Sequence, residues 1–293
     1  MIEFTKMHGL GNDFVLLDGR QMPINLSSKQ IKIISDRHLG IGCDQIMIMH
    51  PAQRTGDIYL QILNADGSEA NACGNGTRCV ASVLLSELKK QKVLIETISG
   101  IVSAYFNGSM IAVDMGPAKF LPKDIPFDNS KLQLDDLLFV PFSEIISNTA
   151  TLVSMGNPHA VFFVPNCEII ELEKIGPLIE NHYSFPDRTN VEFVQKLSDG
   201  RMRMRVWERG AGITRACGSG ACAVAVAGAR HGFIDRKVEI LLDGGSLWIE
   251  IVTDEKGILK KESSGKNRVI MTGPITKSFS GQLSDLLSQV EMS

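Results

Sequence analysis

Short apolar runs follow one another along the chain and are separated by glycine, proline and asparagine. Where apolar and polar residues alternate, as in "RMRMRVW", the pattern is typical of a half-buried strand. Bounded by turn residues, these runs predict twelve strands. The predicted strands are residues 14–18, 45–50, 57–63, 93–99, 101–108 and 110–116 in the first half, and 151–155, 159–164, 190–197, 201–208, 237–244 and 246–253 in the second.

Two segments predict helices instead, residues 77–90 and 220–231, and each follows a Cys-Gly-x-Gly sequence. The second, "GACAVAVAGA", is small and apolar on all sides, so it must be buried all round. Strand-rich halves that each enclose one helix favour an α+β fold over alternating βαβ units. We therefore expect each half to be a mixed, barrel-like sheet curled around a central helix.

The chain also repeats itself. Ala72-Cys73-Gly74-Asn75-Gly76 matches Ala216-Cys217-Gly218-Ser219-Gly220, at an offset of 144 residues. Polar residues keep nearly the same offset: Asn12 with Asn157 and Gln45 with Asn190 at 145 residues, and Asn64 with Glu208 at 144 residues. A repeat of this kind predicts two halves of one design.

We therefore expect two pseudo-symmetric domains. The first comprises residues 1–118 and is joined by a C-terminal strand, 268–293; the second comprises residues 119–267. The segment 121–148 breaks the pattern and is expected to carry the crossing between the domains. The polar side chains and thiols would line the cleft between the halves, a preferred place for ligands.

Composition and charge narrow the function classes. The net charge of −3 gives no electrostatic case for nucleic acid or an anionic membrane as a partner. The N-terminus lacks the pattern of a signal peptide, and no apolar run approaches the roughly 18 residues of a membrane span. We expect a cytoplasmic protein that acts on a small molecule. Its six cysteines would then be free thiols, and without CxxC or HExxH spacing we expect no metal site.

The glycine turns explain why two of those thiols stand where they do. The first N–H groups of a helix have no partner within it and bind anions, and glycine lets an anion approach closely. The same field favours thiolate over thiol. Two such units facing one carbon could take a proton from one side and return one to the other, inverting the stereochemistry without a cofactor. The sulfurs of Cys73 and Cys217 would share one proton and titrate as a pair.

The other cysteines have a simpler interpretation. A lone cytosolic cysteine is more often a small core residue than a catalyst. We expect this of Cys43, Cys79, Cys167 and Cys222. The match of "GSGACA" to a dinucleotide-binding pattern is weak, because no apolar strand precedes it.

At these motifs the chain resembles the diaminopimelate epimerases, cofactor-independent two-thiol enzymes of lysine and peptidoglycan precursor synthesis. The resemblance extends over essentially the whole chain. It rests on "KMHGLGNDF" (6–14), "GIGCDQ" (40–45), "NADGSEANACGNGTRC" (64–79), "GNPHAV" (156–161), "RTNVEFV" (188–194), "ERGAGITRACGSGACA" (208–223) and "MTGP" (271–274). It implies interconversion of LL- and meso-diaminopimelate by a homodimer, with Cys73 and Cys217 as the acid and base.

Carried over by position, the resemblance also implies roles for other residues. His159 and Glu208 would assist at the reacting centre. The substrate would be held by Asn12, Gln45, Asn64, Gly74, Asn75, Asn157, Asn190, Glu208, Arg209, Gly218 and Ser219. Ile213 stands where many relatives have an acidic residue, which puts in question the tuning of the Cys217 thiol rather than the reaction.

Three alternatives remain open. A proline-type racemase shares the fold, but such enzymes typically carry Ser-Pro before the second cysteine, where this chain has Arg215-Ala216. A redox sensor could join the two cysteines in a disulfide, but it would have no use for the glycine turns and should bind no amino acid. A non-catalytic amino-acid binding protein would need neither sulfur.

Overall fold

The computed structural model describes residues 2–121, 123–127, 150–252 and 267–283. They form two compact units, Met1–Val113 with Gly273–Ser293, and Asp114–Thr272. The predicted domain limits of 118 and 268 stay a prediction. Most of the segment expected to cross between the domains, residues 128–148, lies outside the described residues.

The first unit is a mixed sheet with two helices. Strands β1 to β7 pair in sequence order, and β16 adds to the free side of β1. Two neighbouring pairs, β2–β3 and β4–β5, are parallel. The elements are β1 (Glu3–Gly9), β2 (Asn12–Asp18), α1 (Ser28–Ser35), β3 (Gln45–His50), β4 (Ile58–Asn64), α2 (Gly74–Leu88), β5 (Lys92–Thr97), β6 (Gly100–Asn107), β7 (Met110–Pro117) and β16 (Thr276–Gln282).

The second unit has the same composition of elements. Its described elements are β8 (Thr151–Ser154), β9 (Pro158–Phe163), α3 (Leu172–Glu180), β10 (Asn190–Lys196), β11 (Met202–Glu208), β12 (Gly212–Ile213), α4 (Gly218–Arg230), β13 (Lys237–Leu242), β14 (Gly245–Val252) and β15 (Arg268–Gly273). The sheet order is β8-β9-β10-β11-β13-β14-β15, and β12 pairs with β11.

The repeat seen in the sequence is a repeat of strand topology. In the first unit β2–β3 and β4–β5 are parallel; in the second, β9–β10 and β11–β13 are parallel. The intervening pairs β3–β4 and β10–β11 are antiparallel in both. Each unit encloses one helix, since α2 packs on β1, β2, β5 and β6, and α4 packs on six strands from β8 to β14. The α+β class and the pseudo-symmetry are therefore confirmed.

Burial agrees with the predicted cores. Helix α4 is buried from Gly220 through Gly228, as its apolar sequence requires. The four cysteines expected in the core, Cys43, Cys79, Cys167 and Cys222, are all buried. Burial raises the pKa of the Cys79 thiol to about 12, so this group is not a thiolate at neutral pH.

Several element limits differ from the prediction. Both central helices begin directly after the cysteine, at Gly74 and Gly218, rather than at 77 and 220. The glycines form the first turn because a helix start tolerates them when a side chain caps it. The predicted C-terminal strand is two strands, β15 and β16, within the described residues. Strand β1 and helices α1 and α3 were not predicted.

Two helical glycines of the second unit allow a matched test of its packing. A Cβ at Gly176 would lie 2.4 Å from two atoms of the rigid Trp207 ring, whereas one at Gly228 would meet the flexible end of Met202 at 2.6 Å. Alanine favours helix by about 1 kcal/mol, but overpacking costs about 1–3 kcal/mol. We expect Gly176→Ala to lower the free energy of unfolding by urea, and Gly228→Ala to change it by less than about 1 kcal/mol. Equal effects would contradict the assignment of Trp207 as an immovable neighbour.

Candidate functional site

Both central helices are capped by a thiol. Cys73 and Cys217 are the N-cap residues of α2 and α4, with extended backbone conformations. The sulfur of Cys73 accepts a hydrogen bond from the Gly76 N–H at 3.4 Å, and that of Cys217 accepts one from the Gly220 N–H at 3.3 Å. The cysteine thus does what serine or aspartate does at most helix starts, so its sulfur is fixed at the positive end of the helix.

In the first unit an asparagine cluster surrounds Cys73. Asn12 begins β2, and its Oδ1 accepts a hydrogen bond from Asn75 Nδ2 at 3.1 Å and lies 4.0 Å from Cys73 Sγ. Its Nδ2 donates to Asp44 Oδ2 at 2.7 Å. The amide of Asn12 is therefore oriented by Asp44, with its oxygen toward the thiol. Asp44 was not predicted from the sequence.

Asp44 belongs to a charged group that supports this cluster. Arg37 Nη2 bonds both Asp44 Oδ1 and Asp13 Oδ1 at 2.8 Å, and Lys6 Nζ reaches Asp13 Oδ2 at 2.6 Å. Burial of Asp13 acts to raise its pKa, but the hydrogen bonds from Arg37 and Lys6 outweigh it and hold that pKa well below its usual range. Asp13 therefore stays ionised and anchors the start of β2.

Gln45 and Asn64 form a second predicted pair in this unit. They face each other across β3 and β4, and Gln45 Nε2 donates to Asn64 Oδ1 at 2.9 Å. Asn64 Nδ2 donates in turn to Ser68 Oγ at 3.0 Å. Because Gln45 begins β3 and Asn64 ends the antiparallel β4, the two amides lie at the same end of these strands. Gly74 is the first helical residue, directly after Cys73.

In the second unit Glu208 stands beside Cys217. Glu208 is the last residue of β11, the position that Asn64 has in β4. Its carboxylate accepts a hydrogen bond from Thr214 Oγ1 and also bonds the Cys217 thiol. Thr214 was not predicted from the sequence. The structure thus brings together an acid and a thiol that are 9 residues apart in the sequence.

A chain of polar groups reaches Cys217 from the other side. His159 Nε2 lies 3.1 Å from Asn157 Oδ1, Asn157 Nδ2 donates to Ser219 Oγ at 3.3 Å, and Ser219 Oγ lies 3.7 Å from Cys217 Sγ. His159 Nδ1 lies 2.7 Å from Glu192 Oε1, and both residues are fully buried. Sequence reasoning missed Glu192, although a carboxylate inside the apolar strand "NVEFV" was the available signal.

Asn190 and Arg209 complete the predicted set. Asn190 is buried, its Nδ2 donates to the Pro158 carbonyl at 2.8 Å, and its Oδ1 accepts from the Arg209 N–H at 3.0 Å. The exposed Arg209 guanidinium donates through Nη1 to the Asp187 carbonyl at 3.0 Å. Asn190 therefore holds the backbone of the loop that carries this cation.

Burial dominates the electrostatics of Cys217. Desolvation raises its pKa well above the ordinary value, and the carboxyl groups of Glu208 and Glu192 raise it further. The hydrogen bonds from Gly220 N–H and Ser219 act in the opposite direction but do not outweigh burial. At Cys217 burial therefore outweighs the field of the helix N-terminus and favours the thiol in the protein without ligand. The expectation that one sulfur of the pair starts as a thiolate and the other as a thiol stays a prediction. Desolvation likewise raises the pKa of Glu208.

Within the described parts of the chain, no three or more histidine, cysteine, aspartate or glutamate side chains gather as metal ligands would. None of the helices described is long and apolar enough to cross a membrane.

The family model for diaminopimelate epimerase matches residues 4–121 and 151–274. A diaminopimelate epimerase of Rhodospirillum centenum is 46% identical over 286 residues, which cover 97% of this chain and 93% of that protein. Another from Nostoc punctiforme is 42% identical over 291 residues, covering 96% of this chain and 99% of that protein.

Solved structures show the fold at much lower sequence identity. A phenazine biosynthesis protein of the PhzF family from Bacillus anthracis is 15% identical, with a TM-score of 0.68, 96% of this chain covered and 98% of the other. A hydroxyproline epimerase from Agrobacterium vitis, with bound trans-4-hydroxy-L-proline, is also 15% identical, with a TM-score of 0.65 and coverages of 96% and 90%.

The burial of Cys217 predicts unequal reactivity of the two thiols. Cys73 is partly exposed, whereas Cys217 is 3% exposed and its pKa is raised by burial. With iodoacetamide at neutral pH, we expect Cys73 to be alkylated on the order of tenfold faster or more, measured by mass spectrometry of the two peptides. Unfolded protein is the control, in which both should react alike. Equal rates in the folded protein would contradict the protonated, buried state of Cys217.

Proposed function

Because the chain belongs to the diaminopimelate epimerase family, we propose that it interconverts LL- and meso-2,6-diaminopimelate with Cys73 and Cys217 as the two proton-transfer groups. No pyridoxal phosphate enters this scheme. The observation that carries the proposal is that the same device, a thiol capping a central helix, occurs at equivalent positions of the two units. Each thiol is also placed among amide or acid side chains suited to an amino acid.

The reaction balances with one proton held by the two sulfurs. The thiolate of one cysteine takes the α-hydrogen as a proton, which forms its S–H bond and leaves the electron pair on the α-carbon. The thiol of the other cysteine then gives its proton to the opposite face of that carbon and becomes a thiolate. The configuration is inverted, and the next turnover in this direction requires the two sulfurs to exchange their protonation states.

The helix starts supply the means to stabilise the charge that develops. An α-carbanion of an amino acid delocalises into its carboxylate, so donors fixed at that carboxylate lower the barrier. The first N–H groups of a helix have no partner within the helix, which makes Gly74, Asn75, Gly218 and Ser219 suitable donors. A preorganised set of this kind costs no reorganisation during the reaction.

The remaining polar residues suit a long substrate with two amino-carboxylate ends. Arg209 has an exposed guanidinium, a group that binds a carboxylate in bidentate fashion. Glu208 can balance an ammonium group, and its hydrogen bond to Cys217 supports a role for it at the reacting centre. The amides of Asn12, Gln45, Asn64, Asn157 and Asn190 would orient the substrate.

Two expectations about setting remain proposals of the same kind. We propose that the enzyme acts in the cytoplasm, where its thiols stay reduced. We also propose that it forms a homodimer. The feature that supports the dimer is the edge of the sheet: among the described strands, β16 is an end strand and half of Phe279 is exposed there, where another chain could add.

Isotope exchange tests the two-thiol reaction. In D₂O and without pyridoxal phosphate, we expect the protein to replace the α-hydrogen of LL-diaminopimelate by deuterium while forming the meso isomer. Cys73→Ser and Cys217→Ser should each lower epimerisation at least about 10³-fold, because a hydroxyl is a far weaker acid. NMR of the substrate and chiral chromatography measure both. The control is Cys222→Ala, one turn into the same helix as Cys217, which should keep near-normal activity.

The outcome can refute the assignment in two ways. Full activity of either serine variant would show that its sulfur transfers no proton. Absence of exchange with diaminopimelate, together with exchange of proline in a panel of amino acids, would identify the racemase alternative instead.

Arg209 provides a test of substrate binding. We expect Arg209→Gln to raise KM for diaminopimelate about 10–100-fold and to change kcat much less, since a charge-assisted carboxylate contact is worth about 1.5–3 kcal/mol. Arg201→Gln is the matched control, because Arg201 is ion-paired to Asp199 between β10 and β11. Steady-state kinetics of both variants decide the point. An unchanged KM for Arg209→Gln would remove this residue from the binding set.

A further inference from the structure

The two units carry different residues under their helix starts. His159 pairs with Asn190 across β9 and β10, as Phe14 pairs with Gln45 across β2 and β3. In the same registers Glu192 is the counterpart of Met47. A buried acid and histidine in the second unit therefore replace an apolar pair of the first.

Met47 and Glu192 also occupy equivalent places, each beneath the first turn of the central helix of its unit. A Cβ added to Gly76 would meet Met47 Cε at 1.9 Å and Phe14 Cε1 at 3.4 Å. A Cβ added to Gly220 would meet Glu192 Oε1 at 2.8 Å and Cys217 Sγ at 3.2 Å. The fold thus accepts an apolar pair at this position. The carboxylate is not required for packing, and it lies close to the sulfur that the proposed reaction uses.

Burial makes the acid costly, which points to a role beyond structure. Glu192 is fully buried, and its Oε2 has no hydrogen-bond partner among the described residues. A polar atom buried in this way lowers stability, and an apolar residue such as Met47 would avoid the loss.

The hydrogen bonds of His159 define what the acid does. Nε2 faces the Asn157 amide oxygen, which can only accept, so Nε2 carries a proton. Nδ1 then either donates a hydrogen bond to an ionised Glu192 or accepts one from the O–H of a neutral Glu192. In both cases the pair is neutral overall. Glu192 therefore allows His159 to keep Nε2–H and to hold a second proton without leaving a buried charge uncompensated.

The hydrogen bond to His159 also fixes the orientation of Asn157, and through Asn157 that of Ser219 beside Cys217. With its oxygen bonded to His159, Asn157 presents Nδ2 to Ser219 Oγ at 3.3 Å. The Ser219 oxygen accepts that bond, which leaves its O–H free to donate to Cys217 Sγ, 3.7 Å away. Every donor in the chain then points to the sulfur, which becomes negative when Cys217 gives up its proton.

We propose that Glu192 is a positioning residue for the epimerisation. Through His159, Asn157 and Ser219, it orients the donors that stabilise the developing charge on the Cys217 sulfur. The inference depends on the proposed function, since it concerns the same proton transfer. Glu192 itself touches neither substrate nor reacting carbon in this scheme.

Isosteric replacement tests the proposal. Glutamine keeps the size of Glu192 but cannot compensate a doubly protonated imidazole. We expect Glu192→Gln to lower kcat on the order of 100-fold and to change KM by less than about threefold, because the stabilised charge exists only as the proton moves. Glu96→Gln is the matched control. Glu96 is also buried, but it holds the backbone of Gln53, Arg54 and Gly56 in the first unit, so kcat should stay the same.

A double-mutant cycle separates positioning from general damage. His159→Phe with Glu192→Met copies the apolar pair Phe14 and Met47 from the first unit, so the double variant should fold, as checked by thermal unfolding. If Glu192 acts through His159, the double variant should lose no more kcat than His159→Phe alone. Losses that multiply would overturn the proposal, as would a Glu192→Gln enzyme within twofold of wild-type kcat. A wild-type protein that does not epimerise diaminopimelate would instead refute the proposed function, and this inference with it.

Discussion

The structure depends on one interaction, the hydrogen bond from a helix backbone N–H to a cysteine sulfur at its N-cap. This bond is made twice, by Gly76 to Cys73 and by Gly220 to Cys217. It fixes a nucleophilic atom at the positive end of a helix and beside N–H groups that have no helical partner. Glycine at the donor position leaves room for the end of the Met47 side chain in one unit and for the Glu192 carboxyl in the other. The glycine turn therefore serves packing beneath the helix as well as the approach of an anion.

Burial opposes the ionisation that the helix N-terminus favours at the capping thiol, and this opposition suits a group that must donate a proton. An exposed thiol at a helix start would ionise more readily, but desolvation keeps Cys217 protonated. A general acid must hold its proton until the substrate carbon becomes basic. A buried thiol keeps its proton before the reaction, and preorganised donors help it to release that proton. The donors contribute most when the sulfur becomes negative. The cost of burying Glu192 and His159 and of desolvating the Glu208 carboxyl near one sulfur is consistent with the local rules that functional sites usually break in a fold.

Much of the fold could be predicted from the sequence because two local signals agreed, namely the apolar runs and the turn residues that bound them. Twelve of the described strands follow apolar runs between turn residues, and α4 follows a segment without a polar face. The start of α2 could not be predicted from propensity, since glycine disfavours helix and only the cap contributed by Cys73 compensates. Helix α3 escaped notice because Gly176 and Pro177 interrupt its pattern. For the site, the repeat gave the residues that occur in both halves. It could not give Glu192, Thr214 or Asp44, whose roles depend on contacts made in only one unit.

The two halves differ in the residues that surround their thiols, and these differences affect how readily each thiol gives up its proton. An exact repeat would provide two thiols of equal pKa. Neither sulfur would then hold a proton in preference to the other. The pair Phe14 and Met47 gives α2 an apolar support, whereas His159 and Glu192 give α4 a polar one. The neighbours of the sulfurs also differ, with the Asn12 amide near Cys73 and the Glu208 carboxyl at Cys217. In the proposed reaction the two sulfurs act on one carbon, and unlike environments of this kind would give their shared proton a preferred site. For the proposed reaction, the duplication thus explains why there are two capped thiols, and His159 and Glu192 beneath one helix explain why those thiols need not be equally acidic.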